Sequence, residues 1–187
     1  TCALLENGDV KCWGRGWNGQ LGQDNRSNVG MGGSTNTVAD TPAINLGTGR
    51  TATAISAGRQ RLSQHTCALL YNGDVKCWGE SGRGQLGQDN TIDFGRHTST
   101  TSSSARSMDV LGPINLGSEA TAISAGRQHT CALLDNGDVK CWGRGDRGQL
   151  GQDDAEHRGD ETGEMAALGP INLGSEATAI SAGRQHT

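Results

Sequence analysis

The chain is written three times over, and that periodicity limits its folding more than any other feature. Cys2–Gly14, Cys67–Gly79 and Cys131–Gly143 share the pattern Cys-Ala-Leu-Leu-x-Asn-Gly-Asp-Val-Lys-Cys-Trp-Gly. Gly-Gln-Leu-Gly follows at residues 19–22, 84–87 and 148–151. A variable loop leads to Ile-Asn-Leu-Gly at 44–47, 114–117 and 171–174, and then to Thr-Ala-Ile-Ser-Ala-Gly-Arg-Gln at 53–60, 121–128 and 178–185. Copies start at Thr1, Thr66 and Thr130, so the repeats are 1–65, 66–129 and 130–187, one continuous array without separate domains. Thr187 falls in phase with a fourth start.

Each repeat offers four short β candidates, Thr-Ala-Ile-Ser-Ala, Thr-Cys-Ala-Leu-Leu, Asp-Val-Lys-Cys-Trp and Ile-Asn-Leu, bounded by Gly, Asn, Asp or Pro. No segment sustains helical periodicity. Four antiparallel strands per repeat is the pattern of a propeller blade, so the expected fold is all-β, with three tandem β-propeller-type blades. Thirty glycines and 3% aromatic residues rule out one thick core. Such a chain needs thin layers, covalent staples, or both.

The staples can be derived from spacing. With Glu6-Asn7-Gly8 as a three-residue loop, a type I turn closed by a left-handed Gly, Leu4 opposes Val10 and Cys2 opposes Cys12. That is a non-hydrogen-bonded pair, whose Cα atoms lie about 4.5 Å apart. A two-residue Asn7-Gly8 loop would instead send the sulfurs to opposite faces. The first register predicts disulfides Cys2–Cys12, Cys67–Cys77 and Cys131–Cys141. Zinc-type Cys spacing is absent. Three disulfides imply an oxidising compartment, hence a secreted or cell-surface protein.

Net charge is −4 without a basic stripe, which argues against nucleic-acid binding. No apolar run approaches the roughly 20 residues of a membrane span. The chain lacks a starting Met and reads as a mature product or an interior piece of a longer one.

Several motifs imitate sites. Gly14-Arg-Gly16-Trp-Asn-Gly19 and Gly143-Arg-Gly145-Asp-Arg-Gly148 fit a dinucleotide fingerprint, but repeat two breaks it and no helix follows, so the glycines read as turn residues. His65, His129 and His186 recur before Thr, which points to a structural hydrogen bond at a strand start. Trp13, Trp78 and Trp142 recur and read as packing between blades, whereas Trp17 is particular to repeat one. Arg59, Arg127 and Arg184 recur and read as carbonyl or carboxylate partners, with an anion-facing ring as the alternative. Asp24, Asp89, Asp153 and Asp154 lack the spacing of a calcium loop. Asn25-Arg26-Ser27 is a glycosylation sequon, and the tract 98–104 is an O-glycosylation candidate. No residue set qualifies as catalytic, cofactor-binding or metal-binding.

Ala125-Gly126, His129-Thr130, Ala132-Leu133, Asn136-Gly137, Val139, Trp142-Gly143, Gly148-Gln149-Leu150-Gly151 and Pro170 together resemble the regulator of chromosome condensation repeat family. The resemblance covers all three repeats outside the variable loops. It implies propeller blades, typically seven, and protein-binding roles. The family's eukaryotic founder exchanges nucleotide on the small GTPase Ran and docks on nucleosomes. This chain departs in having three repeats, an acidic balance and a Cys pair in every hairpin, which resembles the prokaryotic, exported branch.

The chain opens on the second strand of one blade and closes after the first strand of another, leaving an orphan strand at each end. The expectation is a non-enzymatic, secreted structural or assembly scaffold. It would self-associate through open strand edges or continue into further repeats, as a segment of a longer array or filament. The rival is an extracellular propeller that binds a protein or glycan through its variable loops.

Overall fold

A computed structural model of the chain describes residues 1–32, 36–58, 64–96 and 106–187. Of the residues named above, Arg59 and the tract 98–104 lie outside these. Among the described residues eight strands run in chain order: β1 (Cys2–Leu4), β2 (Val10–Cys12), β3 (Ala52–Ala57), β4 (His65–Leu70), β5 (Val75–Gly79), β6 (Ala120–Ala125), β7 (His129–Leu134) and β8 (Val139–Gly143). They form three antiparallel sheets, β1-β2, β3-β4-β5 and β6-β7-β8.

The Asn-Gly hairpin sets each register. Gly8, Gly73 and Gly137 take φ of 82°, 77° and 81°, in the left-handed region that closes a three-residue loop. Asn7 Oδ1 accepts the Asp9 amide, and Leu5 N–H donates to the Asp9 carbonyl at 2.8 Å. Cys2 therefore faces Cys12, Ala3 faces Lys11 and Leu4 faces Val10, and the pairing repeats at Cys67↔Cys77 and Cys131↔Cys141.

The sheets are staggered against the sequence repeats. β3 closes the first repeat in sequence but pairs with β4 of the second, and β6 likewise pairs with β7. Each inner strand carries a bulge, between Ala52 and Ala54 or between Ala120 and Ala122. Each three-stranded sheet is thus tied covalently and by its ladder to two sequence repeats, the arrangement that links blades in series.

The fourth β candidate needs correction. Ile-Asn-Leu runs beside the hairpin but joins it through a single amide, Ile44 to Val10 O, Ile114 to Val75 O and Ile171 to Val139 O, at 2.8–2.9 Å. One bond per repeat is too few for a ladder, so each described sheet has two or three strands rather than four. The segment attaches by packing instead: Ile44, Leu46, Ile114 and Leu116 are all buried. A second difference is α1 (Glu164–Ala167), a single helical turn in the third variable loop. The residues 178–182, the third copy of the inner-strand sequence, form no ladder among the described residues.

The core is layered, as the scarcity of aromatics requires. Val10, Val75 and Val139, then Leu21, Leu86 and Leu150, then Trp78 and Trp142 recur as buried positions through the stack. Among the described residues no helix is long and apolar enough to cross a membrane.

Candidate functional site: the faces between repeats

The hairpin ends in Cys-Trp-Gly, and its disulfide fixes the direction in which the Trp leaves the strand. S–S distances are 1.95, 2.08 and 1.99 Å for Cys2–Cys12, Cys67–Cys77 and Cys131–Cys141, with Cα atoms 4.0–4.1 Å apart. In the second and third repeats the Trp beyond the bridge turns toward the preceding repeat. The indole N–H of Trp78 donates to the Gln20 carbonyl at 3.2 Å, and that of Trp142 donates to the Gln85 carbonyl at 3.1 Å. Both indoles are fully buried. Trp13 is half-buried and packs against the same core.

The Gly-Gln-Leu-Gly turn is shaped to present that carbonyl. The Gln side chain folds back so that Oε1 accepts the amide of Asn18, Arg83 or Arg147 at 2.8–2.9 Å, which turns the backbone carbonyl outward. Gln20 O and Gln85 O each accept a second donor, a Thr hydroxyl of the following repeat, Thr66 at 3.0 Å and Thr130 at 2.9 Å, and Gln149 O accepts the hydroxyl of Thr187, the position in phase with a fourth start, at 3.1 Å.

The His residues complete this seam. His65 Nε2 lies 3.0 Å from Thr130 Oγ1, and His129 Nε2 lies 3.1 Å from Thr187 Oγ1. Each Thr spends its only proton on a Gln carbonyl, so the imidazole must donate and Nε2 carries the proton. Both Nδ1 atoms are buried without a partner. Charging the His65 ring would place a proton where nothing accepts it. Accordingly, burial and the neighbouring His129 push His65 down to about 3. Burial lowers His129 to about 4, against a hydrogen bond to the His186 backbone that raises it. The Ala-Gly of the repeat explains itself here. The His129 ring lies against Gly126, where an added Cβ would sit 2.3 Å from a ring carbon.

A second inter-repeat contact escaped the sequence reading. Asp24, Asp89 and Asp153 occupy left-handed backbone at φ 50°, 53° and 59°. Asp24 Oδ1 accepts the Met108 amide at 2.8 Å, and Asp89 accepts those of Gly163 and Met165 at 3.0 and 2.8 Å. These two carboxylates each hold the variable loop of the next repeat, and Met108 and Met165 are buried beneath. The recurrence of Asp was legible, but its partners lie 74 to 84 residues away in loops without common sequence. Asn25 is exposed and sits in a related turn, its Nδ2 donating to Gln23 O and its Oδ1 accepting Ser27 N–H. Asn90 makes the same pair of bonds with Gln88 and Ile92, in a position that is not a sequon.

The dinucleotide-like glycines form reverse turns, with Gly19 N–H bonded to Gly16 O and Gly148 N–H to Gly145 O. Trp17 is 57% exposed, with the Arg15 guanidinium 5.6 Å from its ring centre. Among the described residues no group of three or more His, Cys, Asp or Glu could hold a metal ion.

The end of the third repeat exposes the surface that the interior repeats hide. Gly22 abuts Ile44 and Trp78, and Gly87 abuts Ile114 and Trp142, whereas the nearest side-chain atoms to Gly151 all belong to Ile171 and none to a Trp. Leu46 and Leu116 are 4% exposed and Leu173 is 53% exposed. A groove of about 400 Å³ lies there, walled by Val139, Ile171, Ile180 and the Gly148–Gly151 turn.

These features define a β-propeller-type repeat array, in which each blade-like sheet is keyed to the one before by a buried Trp and a His-Thr pair. The described sheets do not close into a ring. Comparison with known proteins agrees. The regulator of chromosome condensation (RCC1) repeat model matches residues 63–85 and 120–149. The human probable E3 ubiquitin-protein ligase HERC3 is 31% identical over 185 residues, 99% of this chain and 15% of that protein. The ultraviolet-B receptor UVR8 of Arabidopsis thaliana is 28% identical over 190 residues, all of this chain and 36% of the receptor. Among solved structures, Prp20p of Saccharomyces cerevisiae superposes with a TM-score of 0.68 at 18% identity, covering 98% of this chain and 40% of that one. Human WBSCR16 superposes at 0.66 and 17%, with the same coverages. The chain thus carries repeats of the regulator of chromosome condensation type. It spans 15% of the length of HERC3 and HERC4.

Proposed function

We propose that the chain is a non-enzymatic, secreted repeat scaffold that grows by docking a further hairpin of its own kind onto the end of the third repeat. The observation that carries this is the exposure of Leu173 beside the Gly151–Ile171 groove, at positions where the interior repeats bury Leu and receive a Trp. Covering one such side chain contributes roughly 1.5–3 kcal/mol. The fitting occupant is the Thr1–Gly14 hairpin of a second copy, or its counterpart in a longer array. Residues 178–182 supply the matching inner strand. By the register of β6 on β7, Ser181 meets Cys2 and Ala182 meets Thr1 of the incoming hairpin, which takes the place Thr187 now holds. Head-to-tail contacts of this kind produce rings or filaments. The three disulfides support export.

Sedimentation velocity over a concentration series tests the proposal. The 187-residue chain should form larger species with rising concentration. Trp13→Ala and Leu173→Lys should each return it to a monomer. Wild-type chain that stays monomeric throughout would count against this mode.

A second reading, binding of a protein or glycan through the variable loops, draws on the exposed Trp17 and on Met31, which is 75% exposed. The study of Prp20p concerns its binding to Gsp1p and histones, so relatives of this fold bind proteins. Loss of a ligand on Trp17→Ala, with sedimentation unchanged, would mark this reading.

A further inference from the structure

The inner edges of the three repeats meet in a polar cavity of about 340 Å³ that neither the seam nor the end groove uses. Its wall is Ser-Ala at 56–57, Ser-Ala-Gly-Arg at 124–127, and Ser-Ala-Gly-Arg at 181–184. The strands are laced through their serines: Ser56 Oγ accepts the Ala125 amide at 2.9 Å, and Ser124 Oγ accepts the Ala182 amide at 2.8 Å. A hydroxyl that accepts from a backbone amide keeps its own proton to give, so both serines remain donors.

The charge of the wall has one sign. Arg127 and Arg184 line the cavity and, among the described residues, no carboxylate does, in a chain of net charge −4. The four close ion pairs of the described residues involve Arg50, Arg96, Arg144 and Arg158 instead. Glu80 acts on Arg127 from outside the wall; its own carboxyl is raised by burial and by Asp93, and lowered by Arg127. The cavity thus offers guanidinium and hydroxyl donors in a concave surface held rigid by inter-strand bonds. Guanidinium forks match the paired oxygens of carboxylate and phosphate groups.

We propose that this inner-edge cavity is an oxyanion-binding site, in which Arg127 and Arg184 hold a polyvalent carboxylate or phosphate and Ser56 and Ser124 donate to its oxygens. Because the site draws on the inner strands β3 and β6 and on the segment 181–184 that follows them in phase, a bound anion would also clamp the repeats together. Ligand and repeat order would then be coupled, since whatever binds only the assembled form stabilises it.

Isothermal titration of the intact, oxidised chain with citrate and with inorganic phosphate tests this, with chloride at matched ionic strength as the control. A short oligoglutamate peptide forms a second arm, separating a free small anion from the acidic side chains of a protein. The expected result is saturable binding of at least one oxyanion, a rise in melting temperature on binding, and no such effect from chloride. Arg127→Gln with Arg184→Gln should weaken binding by tenfold or more, and Ser124→Ala by a few-fold. Circular dichroism and the absence of free thiols would confirm that the variants fold. Equal responses to chloride and to the oxyanions, or unchanged binding by the folded double Arg variant, would overturn the proposal.

Discussion

The indole nitrogen of Trp142 and the carbonyl oxygen of Gln85, 57 residues apart in sequence, meet at 3.1 Å inside the array. The same oxygen accepts the Thr130 hydroxyl at 2.9 Å, so one backbone atom of the second repeat receives two donors from the third. Trp78 and Thr66 treat Gln20 in the same way. The two components of this key, ring volume and hydrogen bond, separate by mutation. Trp142→Phe keeps most of the volume and leaves Gln85 O its Thr130 partner, so it should cost about 1–2 kcal/mol. Trp142→Ala opens a cavity in a fully buried position and should cost about 3–5 kcal/mol. Urea denaturation followed by circular dichroism gives both values. Equal losses would mean that the indole acts through its N–H rather than through packing.

The buried imidazoles give the array a defined acid limit. His65 is held down to about 3 and His129 to about 4, by burial first in both cases. Unfolded histidine titrates near 6.5. Between these values the unfolded chain binds protons that the folded chain refuses, so stability rises with pH through this window and is fully present above it. As pH falls from about 6.5 toward 4, His65 alone should withdraw on the order of 3 kcal/mol. His65→Gln keeps an N–H donor for Thr130 without a titrating ring. Comparing urea midpoints at pH 4.5 and pH 7 should show a smaller difference for that variant than for wild type. Parallel pH profiles would remove His65 as the cause.

Asp89 does two things that few side chains can do together. It adopts the left-handed backbone at φ 53°, and it caps the turn before α1 through Gly163 and Met165. Asp89→Asn tolerates the same backbone and retains one acceptor, so it should lose about 1 kcal/mol. Asp89→Ala gives up both bonds and adds backbone strain, and should lose roughly 2–3 kcal/mol. Thermal melts rank the pair. The local readout is Met165, 2% exposed in the intact protein, which should become oxidisable by peroxide in Asp89→Ala before global unfolding.

What could be read in advance divides along sequence distance. The hairpin was legible because its determinants sit within eleven residues: the Asn-Gly turn fixes the register, and the register decides that Cys2 meets Cys12. The stagger of the sheets followed from the phase of the repeats. Ile-Asn-Leu misled because its apolar residues alternate as a strand's would, yet they are spent on packing beneath the next sheet, and a single amide bond joins it to Val10, Val75 or Val139. The Asp caps were hidden for the opposite reason. Asp24 and Asp89 recur, but what they bind is backbone N–H in variable loops, and an amide leaves no trace in side-chain identity. For His65, a structural hydrogen bond was readable from recurrence, whereas its partner Thr130 belongs to the next sheet and emerges only once the sheets are stacked.

The three disulfides are chemically alike but unequally sheltered, which sets an order of reduction. Cys67, Cys77, Cys131 and Cys141 have no exposed surface, whereas Cys2 is half-buried at the outer strand of a two-stranded sheet. Thiol–disulfide exchange requires a thiolate to reach one sulfur, so access governs the rate. Cys2–Cys12 should therefore open first under limiting dithiothreitol, while the other two persist until their sheets unfold. Alkylation of the partly reduced protein and peptide mass mapping would give the order. The energetic consequence falls on the central sheet. Replacing Cys67 and Cys77 together by Ala removes a cross-link with a sequence separation of 10 and should cost about 2–3 kcal/mol in urea. The buried Cys67–Cys77 bridge opening ahead of Cys2–Cys12 would show that burial beneath the neighbouring repeats does not protect it.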